Sequence, residues 1–277
     1  MINWSLVDKI IKNALEEDMP YGDITTGILI DSMKNSRAEF IVKEDGVIAG
    51  LDVAARVFEL LDSKILFTKL IKDGSSVQKG AIIAEIAGNT GALLKGERTA
   101  LNILQRLSGI ATKTREFCSR VEGTNARIAD TRKTTPGMRM LEKYAVRMGG
   151  GSNHRYSLSD GILIKDNHIK AAGSIKEAIE RVKKNIPHTV KIEVETGTIE
   201  QVKEALESGA DIIMLDNMSP DIMKKAVEII GKKALVEASG NISLQNVYDV
   251  ALTGVDIISV GSLTHSVKSL DISMKIK

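Results

Sequence analysis

Residues 130–170 read DTRKTTPGMRMLEKYAVRMGGGSNHRYSLSDGILIKDNHIK and hold eight Lys and Arg against four Asp and Glu. The whole chain of 277 residues carries a formal charge of only +2, so the rest is slightly acidic. Positive charge focused in this way suits a compact anionic ligand. A protein that tracks nucleic acid spreads its charge over a face and supplies aromatic rings for bases to stack on. Aromatics make up only 3% of this chain, which argues against a nucleic-acid partner. Arg132 and Arg155 offer planar guanidinium forks, which grip carboxylates and phosphates through paired hydrogen bonds.

The acidic candidates come next. Glu193 and Glu195 lie two apart in VKIEVE, so on a strand they share one face. Inward carboxylates are costly unless they meet cations or a metal. With Asp216 they could take Mg²⁺ directly or through water, because that ion uses few carboxylates and keeps several waters. The alternative is a structural ion pair with Lys133 or Lys165. The turns EASGN and GSLTHS supply small residues, including Gly240 and Gly261, whose amides suit a phosphate at a helix N-terminus. The four histidines lack zinc-ligand spacing. His154, next to Arg155, suits donation to a carboxylate, and His168 suits a buried histidine with its partners satisfied. Arg98 falls on an apolar stripe with Leu94 and Leu101, where a guanidinium needs a partner.

These groups need a scaffold, and the chain from about 127 onward describes one. Six short β-rich runs, RIADT, ILIKD, VKIEVE, DIIMLD, ALVEAS and DIISVG, alternate with amphipathic patterns such as SIKEAIERVKKN and TIEQVKEALESG. This βα alternation predicts a parallel sheet with crossover helices. Near-equal spacing, with no dinucleotide fingerprint after any strand, favours an incomplete α/β barrel over a doubly wound sheet. Barrel enzymes carry their working groups at the C-terminal ends of the strands. Here those ends bear Arg132-Lys133, Lys165-Asp166, Glu195, Asp216-Asn217, Glu237 to Gly240 and Gly261-Ser262. MGGGSN follows a helical pattern and reads as a helix stop with a mobile loop.

Residues 1–107 mix helix and strand. The N-terminus places Leu6, Val7, Ile10, Ile11, Ala14 and Leu15 at helical spacing, unlike a signal peptide. Asp73-Gly74 and Lys79-Gly80 signal hairpins. No apolar run reaches the roughly 18 residues of a membrane span. A single cysteine, Cys118, cannot form an internal disulfide and suits a reducing, cytoplasmic setting.

The ordered blocks YGDITT, GERTALNILQRLSGIAT, DTRKTTPGMR, GGGSNHRYSLSDGILIKDNHI, KIEVE, IIMLDN, EASGNI and ISVGSLTHS resemble quinolinate phosphoribosyltransferase, the carboxylating nicotinate-nucleotide pyrophosphorylase family, over nearly the full length. The resemblance implies an N-terminal α/β sandwich domain over 1–107, to which a tail at 268–277 returns. It also implies an incomplete α/β barrel of six to seven strands over 108–267. The implied reaction joins quinolinate to phosphoribosyl pyrophosphate with Mg²⁺, releasing pyrophosphate and CO₂ and forming nicotinate mononucleotide on the route to NAD.

The same likeness gives residue roles. Arg132, His154 and Arg155 hold the quinolinate carboxylates. Lys133 and Lys165 lie near the pyrophosphate and the substrate carboxylates. Glu195 and Asp216 lie near ribose and metal, while Ser239, Gly240, Gly261 and His265 form the 5′-phosphate pocket. Arg98 reaches the site of a neighbouring subunit, which implies a homodimer with shared sites. Three other readings compete: a sister protein of this fold tied to molybdenum transport, a non-catalytic anion-binding barrel, and a Schiff-base aldolase using Lys133. The intact NHR and KDNH blocks speak against the first, and the acidic strand ends and phosphate turns against the last.

Overall fold

A computed structural model describes residues 2–277. The chain forms two compact units. The first comprises residues up to Arg115, then Thr134–Gly150 and Leu263–Lys277; the second comprises Glu116–Lys133 and Gly151–Ser262.

In chain order the elements begin α1 (Trp4–Asp18), α2 (Ile24–Leu29), β1 (Asn35–Val42), β2 (Gly46–Val47), α3 (Leu51–Leu61), β3 (Leu66–Lys69), β4 (Ser76–Val77), β5 (Ile82–Asn89) and α4 (Thr90–Arg120). They continue β6 (Arg127–Ala129), α5 (Arg139–Met148), β7 (Ile162–Ile164), α6 (Asp166–Ala172), α7 (Ile175–Lys183), β8 (Ile192–Thr196), α8 (Ile199–Glu207) and β9 (Ile212–Asp216). The last are α9 (Pro220–Ile230), β10 (Leu235–Ser239), α10 (Val247–Ala251), β11 (Ile257–Ser259), α11 (Ser262–His265) and β12 (Ile272–Ile276).

The first unit is built on an antiparallel sheet of order β12-β1-β5-β3. α1 buries Val7, Ile11 and Leu15 at i, i+4 spacing, and the Asn3 side chain caps its N-terminus. Phe40, Phe58 and Phe67 meet with ring centroids 5.4–6.2 Å apart, fixing α3 against the sheet. Hydrophobic residues of α4, among them Leu93, Leu104 and Leu107, are fully buried. Gly109 of α4 has no room for a side chain, because a Cβ there would lie 2.2 Å from the Lys268 carbonyl oxygen. That close approach seats the tail, and β12 then pairs antiparallel with β1, Val42 opposite Ile272. α5 also belongs to this unit: Arg106 pairs with the fully buried Glu142 at 2.6 Å, and the Tyr144 hydroxyl donates to Asp73 at 2.6 Å.

The second unit is a parallel sheet of order β6-β11-β10-β9-β8-β7. β6 and β7 are its two edges, so the barrel is incomplete. Side-chain caps start the outer helices: Ser174 accepts from the Glu177 amide before α7, and Thr198 from the Gln201 amide before α8. Their apolar faces, with Ile175, Ala178 and Ile179 on α7 and Val202 and Ala205 on α8, are buried.

MGGGSN begins with the helix stop its glycines suggest and continues into backbone pairing. Gly149 stops α5 where a Cβ would strike the Ala111 carbonyl at 2.5 Å. Ser152 then adds a parallel bridge beside β6, its amide donating to the Ile128 carbonyl at 2.8 Å and its carbonyl accepting from Asp130 at 3.1 Å. Backbone pairing, invisible in composition, pins the segment.

Candidate active site

The candidate site residues of the second unit lie at the C-terminal ends of the parallel strands or in the segment after Ser152. Lys165 follows β7 and Glu195 lies near the end of β8; their Nζ and Oε2 atoms are 2.6 Å apart. This is the ion pair weighed above as the alternative for the glutamates, and it involves Glu195 alone.

One strand further on, Asp216 ends β9, and its Oδ2 accepts from Asn217 Nδ2 at 2.8 Å. Asn217 has a left-handed backbone, φ 54°, and its amide donates to the Ser239 carbonyl at 2.9 Å. Asn241 Nδ2 donates to Asn217 Oδ1 at 3.0 Å. Gly240, φ 90°, lies so close that a Cβ would stand 2.3 Å from Asn217 Oδ1. The turns after β9 and β10 are therefore knitted into one unit in which only glycine fits at 240.

Arg132 and Lys133 follow β6; Lys133 is exposed, Arg132 half-buried. Asp130, between β6 and these cations, is fully buried. Its Oδ2 accepts from Asn153 Nδ2 at 2.6 Å and its Oδ1 from the His154 amide at 2.9 Å. The His154 ring is held on two sides. Nε2 lies 3.0 Å from Glu193 Oε2 and 3.6 Å from Glu237 Oε1, and Nδ1 accepts from the Arg155 amide at 2.8 Å. An accepting Nδ1 places the ring proton on Nε2, facing the carboxyls.

Arg155 donates through Nη1 to the Gly161 carbonyl at 2.9 Å. Burial, followed by repulsion from the Arg132 charge, lowers the pKa of its guanidinium below the ordinary value; Glu193 and Asp160 oppose that trend. A cavity of about 400 Å³ lies beside β7, lined by Arg155, His168 and Arg181 among aliphatic residues that include Leu158, Ile162 and Val182.

Several expectations change. His168 is exposed rather than buried: it occupies the first turn of α6, where its Nδ1 accepts from the Lys165 amide at 3.1 Å. Arg98 is exposed on α4 in the first unit, so its guanidinium is hydrated rather than stranded on an apolar face. Burial raises the carboxyl pKa of its neighbour Glu97, while the Arg98 charge lowers it. His265, also in the first unit, is exposed, with Nδ1 2.7 Å from Ser266 Oγ. Gly261 is half-buried two residues after the end of β11.

Two residues were given no role by the sequence reading: Asp130, and Glu237, which was named only as part of a strand end. Their signal was present: each is a lone acid within or at the end of a strand run, RIAD and ALVEAS, where a purely structural core would be aliphatic. Among the described residues, His154, Glu193 and Glu237 are also the one group of three His, Cys or carboxylate side chains close enough to hold a metal ion, their nearest atoms lying within 4.8 Å of one another. Its imidazole and deep burial do not fit Mg²⁺, which favours oxygen ligands and keeps waters. Glu195 and Asp216, half-buried carboxylates at neighbouring strand ends, do fit that ion by donor type.

Comparison with known proteins matches both parts of the chain. Residues 23–108 match the family model described as quinolinate phosphoribosyl transferase, N-terminal domain, and residues 110–275 match the corresponding C-terminal domain. A probable nicotinate-nucleotide pyrophosphorylase [carboxylating] from Bacillus subtilis (strain 168) is 47% identical over 275 residues, covering 99% of this chain and 95% of that protein. A chloroplastic nicotinate-nucleotide pyrophosphorylase [carboxylating] from Arabidopsis thaliana is 43% identical, covering 96% of this chain and 82% of that protein. The crystal structure of NadC from Streptococcus pyogenes superposes with a TM-score of 0.97 at 42% identity, covering 100% of this chain and 98% of the other. With both family domains matched in order along almost the entire sequence, the chain belongs to the quinolinate phosphoribosyltransferase family.

Proposed function

We propose that this chain transfers the phosphoribosyl group of phosphoribosyl pyrophosphate to the ring nitrogen of quinolinate, with loss of the adjacent carboxylate as CO₂, forming nicotinate mononucleotide and pyrophosphate for NAD biosynthesis. The observation that carries the reading is the half-buried Arg155, set in the field of Arg132 and held by a fixed loop. Two cations that oppose each other in a partly desolvated place gain most from a ligand with two negative charges, and quinolinate has two adjacent carboxylates.

Arg132 and Arg155 take those carboxylates, with His154 fixing the backbone that carries Arg155. Lys133 and Lys165 neutralise charge on the leaving pyrophosphate and the acid. Departure of pyrophosphate leaves cationic character on the ribosyl carbon, which the carboxylates of Glu195 and Asp216 stabilise. Once the ring nitrogen is alkylated, its positive charge accepts the electron pair left by the departing CO₂, so decarboxylation needs no further group. Ser239, Gly240 and Gly261 offer a small-residue phosphate cradle. Mg²⁺, held by Glu195 and Asp216 directly or through water, would supply charge neutralisation for the pyrophosphate oxygens.

The working form is a homodimer in which Arg98 of one copy serves the site of the other, in the cytoplasm. No helix among the described residues is long and apolar enough to cross a membrane.

The test is release of labelled CO₂ from quinolinate in the presence of phosphoribosyl pyrophosphate and Mg²⁺. We expect turnover with quinolinate and little with nicotinate, because a ligand with one carboxylate leaves a partly desolvated guanidinium under-satisfied, at a cost of roughly 1–3 kcal/mol. No release from quinolinate, or equal turnover of both acids, would contradict the assignment.

A further inference from the structure

The interior of a βα barrel is ordinarily filled by aliphatic side chains in layers, each layer drawn from alternate strands. One layer of this second unit departs from that rule. Glu193 on β8 and Glu237 on β10, strands separated in the sheet by β9, are 4% and 2% exposed, and the His154 ring reaches both. β6, the next alternate strand, leads directly into the fully buried Asp130. Three acids and an imidazole thus occupy space where Val, Leu or Ile would stabilise the fold. Burial of two adjacent carboxylates is expensive unless one of them is neutral.

We propose that Glu237 is buried as a neutral acid beside Glu193 and that both act as positioning residues beneath His154, locking the Asn153–Arg155 segment so that Arg155 is held in place for the acid substrate. The geometry sets the division of labour. His154 Nε2–H points at Glu193 at 3.0 Å, so Glu193 is the anionic acceptor. Glu237 Oε1 is buried, finds no hydrogen-bond donor within reach, and has His154 Nε2 only at 3.6 Å, so Glu237 is the neutral member. Burial, then the Glu193 charge, pushes the Glu237 carboxyl up to about 7; His154 and a hydrogen bond from Ser259 on β11 pull it down, and Asp130 raises it further. The cations on this side are those of Arg155 and Arg132, whose charges act on each other, and Glu193 steadies Arg155. When Glu237 loses its proton, a second anion appears beside Glu193. The repulsion between the two buried carboxylates then loosens the seat of the His154 ring, on which the Arg155 segment rests.

The positioning role rests on the functional reading above, whereas the neutral acid does not, and the experiment separates them. Infrared titration of the intact protein reads the carbonyl stretch of a protonated carboxylic acid. We expect such a band near neutral pH, lost as pH rises and absent from Glu237→Gln. In parallel, kcat/KM for quinolinate is measured across pH. Glu237→Ala should lose roughly 100-fold, the scale of a small misplacement of a binding group. Glu237→Gln, which mimics the protonated acid, should recover most of that loss and should not share the wild-type decline on the alkaline side.

Because Glu237→Ala removes a side chain from the barrel core, circular dichroism of both variants accompanies the kinetics, and the Gln variant alone decides the pH limb. A wild-type infrared spectrum without the protonated-acid band overturns the neutral acid. A folded Glu237→Gln with the wild-type alkaline limb overturns the positioning role, as does stoichiometric transition metal in purified protein that disappears in this variant. A wild type that shows the band but releases no CO₂ from quinolinate defeats the functional reading alone.

Discussion

Glu193 and Glu195 occupy the same strand and the same face two residues apart, yet they live in different chemistry. Glu195 lies near the strand end, half-buried, 2.6 Å from the exposed Lys165. Glu193 lies one layer down, 4% exposed, with a histidine and a second carboxyl for company. A carboxylate at the rim keeps part of its hydration, stays anionic and can follow charge developing on a substrate. A carboxylate in the interior is held by fixed partners and cannot follow anything; it can only hold something else still. One turn of pleat thus separates a group suited to act on the ribosyl centre from a group suited to aim Arg155.

That contrast can be broken at several points. The largest effect is expected at the rim. Glu195→Ala and Asp216→Ala should each lower kcat by about a thousand-fold, as for loss of charge stabilisation in a desolvated site, while steady-state quinolinate affinity stays near wild type. Next, Arg98→Ala and Lys165→Ala should each be nearly inactive alone. Heterodimers isolated by two affinity tags should have one intact site, so randomly mixed chains recover about a quarter of the activity. No recovery would return Arg98 to an ordinary surface cation.

Smaller, and confined to the turns after β9 and β10, is Gly240→Ala. Its Cβ would collide with Asn217 Oδ1, and the left-handed backbone adds strain; roughly 1–3 kcal/mol of stability should be lost, read by thermal denaturation together with a raised KM for phosphoribosyl pyrophosphate.

The smallest effect concerns stability against pH. Glu237 binds its proton more tightly in the folded protein, up to about 7, than the ordinary 4.5 of an unfolded chain. Its contribution is therefore harmless below the unfolded value and becomes a penalty as pH rises through the folded value. The sign is fixed by proton count: between the two values the folded state holds more protons, so stability falls with rising pH. Glu237→Gln has no proton to lose, so its melting temperature should gain on the wild type between about pH 5 and about pH 8. A gap that does not change with pH would mean that Glu237 is already ionised.

Much of the second unit was legible from the sequence because its signals are local. Six apolar runs ending in polar residues are the six strands of the parallel sheet, and Ser174 and Thr198 announce their helices as caps. What escaped was decided by distant partners. Ser152 sits beside β6 through two backbone hydrogen bonds, which the three glycines before it cannot reveal. His168 is exposed because its place in the first turn of α6 turns the ring back to the Lys165 amide. α5 joins the first unit through Arg106–Glu142 and Tyr144–Asp73, pairs whose members lie far apart in sequence. Glu237 is the instructive omission. The strand-end pattern included this acid but gave it no role, because its meaning depends on Glu193 and His154 meeting it from other elements.

The division between an acting rim and a positioning interior is tested most directly by measuring, on the same preparations, quinolinate affinity by calorimetry and kcat at saturating substrates for Glu195→Ala and Glu193→Ala. The account predicts opposite signatures: Glu195→Ala binds quinolinate nearly as the wild type but hardly turns over, and Glu193→Ala binds it roughly 10- to 100-fold more weakly while keeping most of its kcat once saturated. Loss of the same quantity in both variants, whether affinity or turnover, would contradict it.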